Sequence, residues 1–140
     1  MPRNAATREI EHTGDVGIEV LAATREELFA EAIVALGRIM YETDNIRDRE
    51  CRKLTVFADD DADLMHDALS AALNLFLIDA FLWRDANVIA ISGGIEAELI
   101  GEPFDRSRHR LHEELKAVTY HRLAVERTPS GWRAVVIFDA

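Results

Sequence analysis

The sequence predicts an α+β fold: one compact domain over residues 1–140, with a mainly antiparallel sheet and two principal helices. Three observations carry this reading. Two segments repeat apolar residues at helical spacing, the rest breaks into short β-prone runs, and two of the breaks are hairpin signals. With 140 residues, 49% of them hydrophobic, the chain can fill one core and has little left for a second.

The first helix is expected to open at Thr24, because Glu27 follows at the spacing of a capping box. Leu28, Ile33, Leu36, Ile39 and Met40 then recur so that one face packs inward. The second opens near Asp59-Asp60-Asp61-Ala62-Asp63, where acids favour the helix dipole, and continues through Leu64, Leu69, Leu73, Phe76 and Ala80. It is apolar almost all round, as expected of a helix buried against a sheet. Strands are expected before His12, at Val16–Val20, at Leu54–Phe57, and at Val88–Ile91 and Ile95–Ile100 around Gly93-Gly94. A last pair, Ala117–Glu126 and Trp132–Phe138, flanks Thr128-Pro129-Ser130-Gly131.

Charge and composition narrow the function classes. A net charge of −10 and a pI of about 4.9 repel phosphate backbones, so direct tight binding of nucleic acid is not expected. Acidic surfaces suit metal ions or a partner protein with a basic face. Cys51 is the only cysteine, which fits a reducing, cytoplasmic setting. Residues 1–11 lack the apolar run of a signal peptide, and the most apolar stretch, Ala68–Trp83, is too short to span a bilayer.

No phosphate loop, dinucleotide fingerprint, nucleophile elbow or paired cysteines occur. Asp59, Asp61 and Asp63 imitate the start of a calcium loop, but Leu64 and Ser70 occupy the positions that need Gly and a bidentate Glu. That run reads as a helix start. His12-Thr13-Gly14-Asp15-Val16-Gly17 has two readings: a turn in which Asp15 caps local amides, or a rigid turn presenting Asp15 to a metal or partner. Gly14 and Gly17 would let the backbone bend around that acid. At the other end, Asp139 follows a strongly β-prone run and stands beside the Ala140 carboxylate; crowded carboxylates favour a hard cation, and the bland alternative is a solvated acidic tail. Between these lie an expected turn, Gly101–Asp105, and a basic patch, Arg106–Arg110, whose simplest reading is a solvated loop. Lys116, Val118 and Tyr120 should then share one strand face, opposite Ala117, Thr119 and His121.

Taken together, His12–Gly17, Gly101–His121 and Trp132–Asp139 resemble the three signatures of the archease family, in that family's order and spacing. The string GEPFDRSRHRLHEELKAVTYH is specific, since no generic structural rule calls for it. The resemblance implies a compact α+β unit with a non-enzymatic accessory role. Archeases assist the RtcB-type ligase that joins RNA ends in tRNA splicing, speeding its guanylylation and permitting repeated turnover. It further implies a divalent ion, calcium before magnesium or manganese, at an acidic site. The family's acids fall on Asp15 and Asp139, its terminal position on Ala140 and its important lysine on Lys116. Gly14 replaces a usual Ala, and Ala68, Ser70 and Ala71 replace Trp, Asn and Glu, so the second helix departs from the family's pattern. Two other classes compete: a general chaperone or protein-binding module, and a metal-dependent hydrolase using His12 or His121 as base.

Overall fold

The computed structural model describes residues 3–12 and 14–140; the side chains of residues 11 and 12 fall outside that description, as do residues 1, 2 and 13. In chain order the elements are β1 (Ala5–His12), β2 (Asp15–Ala22), α1 (Arg25–Met40), β3 (Glu50–Phe57), α2 (Asp61–Asp79), β4 (Phe81–Ile91), β5 (Gly94–Pro103), β6 (Ala117–Val118), β7 (Ala124–Thr128) and β8 (Gly131–Asp139). Every strand pairing is antiparallel. One sheet has the order β1-β2-β8, with β6 and β7 sharing the far edge of β8; the other has the order β3-β5-β4.

Both helices start as their sequences suggest. The Thr24 hydroxyl accepts from the Glu27 N–H at 3.2 Å and donates to the Glu27 carboxylate at 2.9 Å. The Asp60 carboxylate accepts from the Asp63 N–H at 2.8 Å, so the acidic run caps α2. Their burial, however, is the reverse of the expectation. α1 packs against β1, β2 and β8 of one sheet and β4 of the other, and 12 of its residues are buried, including Glu31. α2, the more apolar sequence, packs against α1, β3 and β4 of one sheet and β6 and β7 of the other, yet leaves Leu77 and Ile78 in its last turn exposed at 48% and 77%. Burial therefore does not follow apolar content.

Buried polar groups fix α1 in place. Glu31 accepts from the Thr7 hydroxyl at 2.7 Å and pairs with Arg3 and Arg38 at 3.3 and 3.0 Å, tying β1 to the helix. At the helix end, the Tyr41 hydroxyl donates to the Trp83 carbonyl at 2.6 Å and accepts from the Trp83 N–H at 2.8 Å. The Trp83 indole N–H donates to the Ile33 carbonyl at 2.8 Å. Both rings are fully buried, so these bonds remove the cost of burying polar atoms among apolar ones.

Several expected boundaries are corrected. The second helix ends at Asp79, where Ala80 takes a left-handed cap with φ 52°, and β4 begins at Phe81 rather than Val88. The sequence alone assigns Phe81, Leu82 and Trp83 to no element, because a short apolar run looks alike in helix and strand. Residues Gly101–Pro103 are the end of β5, not a turn. A Cβ on Gly101 would lie 1.9 Å from the Leu82 carbonyl oxygen, so this glycine admits the neighbouring strand at the bulge between Trp83 and Asp85. The single strand expected over Ala117–Glu126 is two strands, broken by a turn in which Arg122 adopts φ 55°.

Candidate functional site: an acidic pair at the end of the larger sheet

The β1–β2 connection turns through Gly14, whose φ of 76° suits a residue without a side chain. β2 then runs beside β8, and the register sets Asp15 directly opposite Asp139. Val16 and Phe138, the next pair, belong to the core side, so alternation directs both acids to the opposite face. Directly opposed residues on neighbouring strands carry Cβ atoms about 5 Å apart, close enough for two carboxylates to share one cation. Asp15 is half-buried and Asp139 is exposed. Gly17, two residues on, does not bend the chain. A Cβ there would meet the Ile137 side chain at 2.7 Å, so the glycine makes room for Ile137 and Ile10 to close over the sheet beside the acids.

β6 completes the sheet end. Ala117 pairs with Asp139, and the Lys116 N–H donates to the Asp139 carbonyl at 2.7 Å. Thr119 anchors the following residues by donating its N–H and hydroxyl to the Ile137 carbonyl at 3.0 and 2.9 Å. The backbone of Lys116 is therefore beside the acidic pair, while alternation turns its exposed side chain toward the face of Val118 rather than that of Asp139. His121 is exposed on the turn after β6, its N–H donating to the Thr119 hydroxyl at 3.2 Å. His12 pairs with Asp15 through the β1–β2 register, and its side chain lies outside the described residues, as does Thr13.

The paired acids are residues that could hold a cation. Asp15, Asp139 and an oxygen of Ala140 could supply hard ligands, fewer than the roughly six to eight oxygens that calcium takes. Among the described residues, no three His, Cys, Asp or Glu side chains converge on one point. Along the same outer face runs an ionic ladder, Arg8–Glu19–Arg133–Glu126, with contacts of 2.9, 2.7 and 2.9 Å. The Arg133 hydrogen bond first, then that from Arg8, hold the Glu19 carboxyl below its ordinary value. The ladder covers Val135, which is buried although it faces outward.

Sequence reasoning missed the most buried charge cluster. Glu102 is 1% exposed and lies on β5. It accepts two bonds from Arg108, at 2.5 and 3.1 Å, one from the Arg47 N–H at 2.7 Å, and one from His109 Nε2 at 3.1 Å. His109 Nδ1 accepts from the Asp105 N–H at 2.8 Å, which leaves Nε2 to donate to Glu102. Hydrogen bonds from Arg108 outweigh burial and bring the Glu102 carboxyl down to about 2. The basic patch is thus no solvated loop. Arg108 and His109 clasp Glu102 and fasten the 104–110 loop to the 45–47 segment, while Arg106 and Arg110 stay exposed. The available signal was the spacing of Glu102, Arg108 and His109 within one short string.

The fold and the sheet-end acids define a class: a small two-sheet α+β protein with two acids set opposite each other at the end of its larger sheet. The Archease protein family (MTH1598/TM1083) matches residues 8–140. The chain is 35% identical over 135 residues to protein archease of Methanopyrus kandleri, covering 94% of this chain and 96% of that one. It is 32% identical to protein archease of Methanosarcina barkeri, covering 93% and 92%. The solution structure of Methanobacterium thermoautotrophicum protein 1598 superposes with a TM-score of 0.77 at 23% identity, covering 96% and 98% of the two chains. A Thermotoga maritima crystal structure, described as an archease and possible chaperone, gives 0.66 at 21% identity, covering 95% and 96%. This chain belongs to the archease family. No helix among the described residues is long and apolar enough to cross a membrane.

Proposed function

We propose that this protein is an accessory factor that activates an RtcB-type tRNA-splicing RNA ligase, promoting its guanylylation and its multiple turnover. One observation supports the reading above all: Asp15 and Asp139, far apart in sequence, stand opposite each other on β2 and β8, with the Lys116 backbone hydrogen-bonded to Asp139. Asp15, Asp139 and Ala140 hold one divalent ion, calcium before magnesium or manganese, with coordination positions left for a partner's ligands. Such an ion, when bound, offsets phosphate charge at a nucleotide site. Lys116, exposed at the same sheet end, meets the partner's acids or the nucleotide phosphates.

The test is guanylylation of the ligase with and without this protein, repeated with Asp15→Asn, Lys116→Ala and Asp139→Asn. Each variant is expected to melt as the parent does and to lose most of the stimulation. A correctly folded Asp139→Asn protein that stimulates fully sinks the proposal. A second reading, a chaperone-like binding module, draws on the description of the Thermotoga maritima structure as a possible chaperone. Protection of several unrelated aggregating proteins in the absence of any ligase would favour it.

A further inference from the structure

A second concave surface lies away from the paired acids in sequence. It is a hollow of about 610 Å³ between the end of β3, the first turns of α2, the β4–β5 turn and the residues after β6. Two large rings form its sides, Phe57 at 62% and Tyr120 at 59% exposure, although each could have been polar at no cost to the core. Tyr120 is not loose. Its ring stacks on His66 with centroids 3.9 Å apart and planes 12° apart. His66 is itself held, with Nδ1 2.9 Å from the Asp67 carboxylate and Nε2 3.2 Å from the Val118 carbonyl. One face of Tyr120 is thus covered by a flat ring, and the exposed remainder of the tyrosine lines the hollow.

The charge of the walls is one-sided. Asp59, Asp63 and Asp67 line the hollow, with no lysine or arginine among its lining residues. Asp63 and Asp67 are one helical turn apart, on the same side of α2. Neighbouring acids have internal uses: Asp61 pairs with Arg25 at 2.7 Å, and Asp60 caps the helix. Asp59 and Asp63 enter no side-chain ion pair among the described residues. The field of the acids reaches the ring: partial burial first, then Asp63, Asp67 and Asp60, push the Tyr120 phenol above its ordinary value.

We infer that this hollow docks a partner protein through an arginine side chain, its guanidinium lying against Tyr120 and Phe57 and hydrogen-bonded to Asp63 or Asp67. Arginine fits better than lysine, because its planar fork both stacks on a ring and donates two bonds to a carboxylate. A net charge of −10 disfavours an anionic membrane or nucleic acid as occupant. The inference stands apart from the ligase reading, since it concerns different residues and requires no metal.

The test uses the isotope-labelled full chain and the capped peptide Gly-Arg-Gly-Arg-Gly, with lysine and citrulline versions as controls, followed by amide NMR. Saturable shifts at Phe57, Asp63, Asp67 and Tyr120 are expected, weaker with lysine and at least about tenfold weaker with uncharged citrulline. The double variant Asp63→Asn, Asp67→Asn should lose binding, and raised salt should weaken it. Phe57→Ser, at an exposed position, gives a second check that does not disturb the helix start, and should weaken binding severalfold. Equal binding of arginine and citrulline peptides, undiminished binding by both variants, or shifts confined to other residues would overturn the inference. So would concentration-dependent self-association that shifts these same amides without peptide, which would assign the surface to a second copy of the chain.

Discussion

Replacing Glu102 by Gln should cost stability in a pH-dependent way that isolates this one carboxylate. The side chain is 2% exposed and accepts four hydrogen bonds, two of them from the Arg108 guanidinium. Its folded-state value of about 2 lies below the ordinary 4.5. At about 1.4 kcal/mol per pH unit, the difference corresponds to about 3 kcal/mol. Arg108 is 25% exposed, so solvent screens part of the pair, and about 2–3 kcal/mol is the expected loss at neutral pH. The sign follows from the direction of the displacement. A carboxyl held low in the folded state contributes its full stability above the unfolded value of 4.5, and loses it as pH falls toward about 2. Urea unfolding of parent and Glu102→Gln, followed by circular dichroism at pH 7, 5, 3.5 and 2, reads this out. The two curves should lie about 2–3 kcal/mol apart at pH 7 and converge near pH 2. Equal stabilities at pH 7, or a gap that persists unchanged to pH 2, would refute the account of the cluster.

Two further perturbations test the core and the strand contact. Tyr41→Phe keeps the ring but strands the N–H and the carbonyl of buried Trp83, and should cost about 2–4 kcal/mol by urea unfolding at neutral pH, against almost nothing for an exposed tyrosine. Gly101→Ala would set a Cβ 1.9 Å from the Leu82 carbonyl, forcing β4 and β5 apart, and should lower stability by at least about 2 kcal/mol with a visible fall in Tm; an unchanged Tm would mean the bulge relaxes freely.

What the sequence determined by itself was local and chemical. Thr24 with Glu27, and the acids before Leu64, mark the helix starts because capping is settled within one turn of chain. The Gly93-Gly94 hairpin was legible for the same reason, and the three signature segments were enough to recognise the family. Tertiary structure decided everything that depends on neighbours distant in sequence. Phe81–Trp83 became a strand because β5 offered it a partner, with Gly101 making room. α1 is buried along nearly its whole length, while the more apolar α2 leaves its last turn exposed. Glu102, an ordinary acid in the sequence, became a buried anchor once Arg108 and His109 folded back over it. Asp15 and Asp139 are unremarkable apart and form a pair through the β2–β8 register alone, since a shift of one residue would send one acid to the opposite face. Side-chain chemistry is written in the sequence; which chemistries meet is set by register and packing.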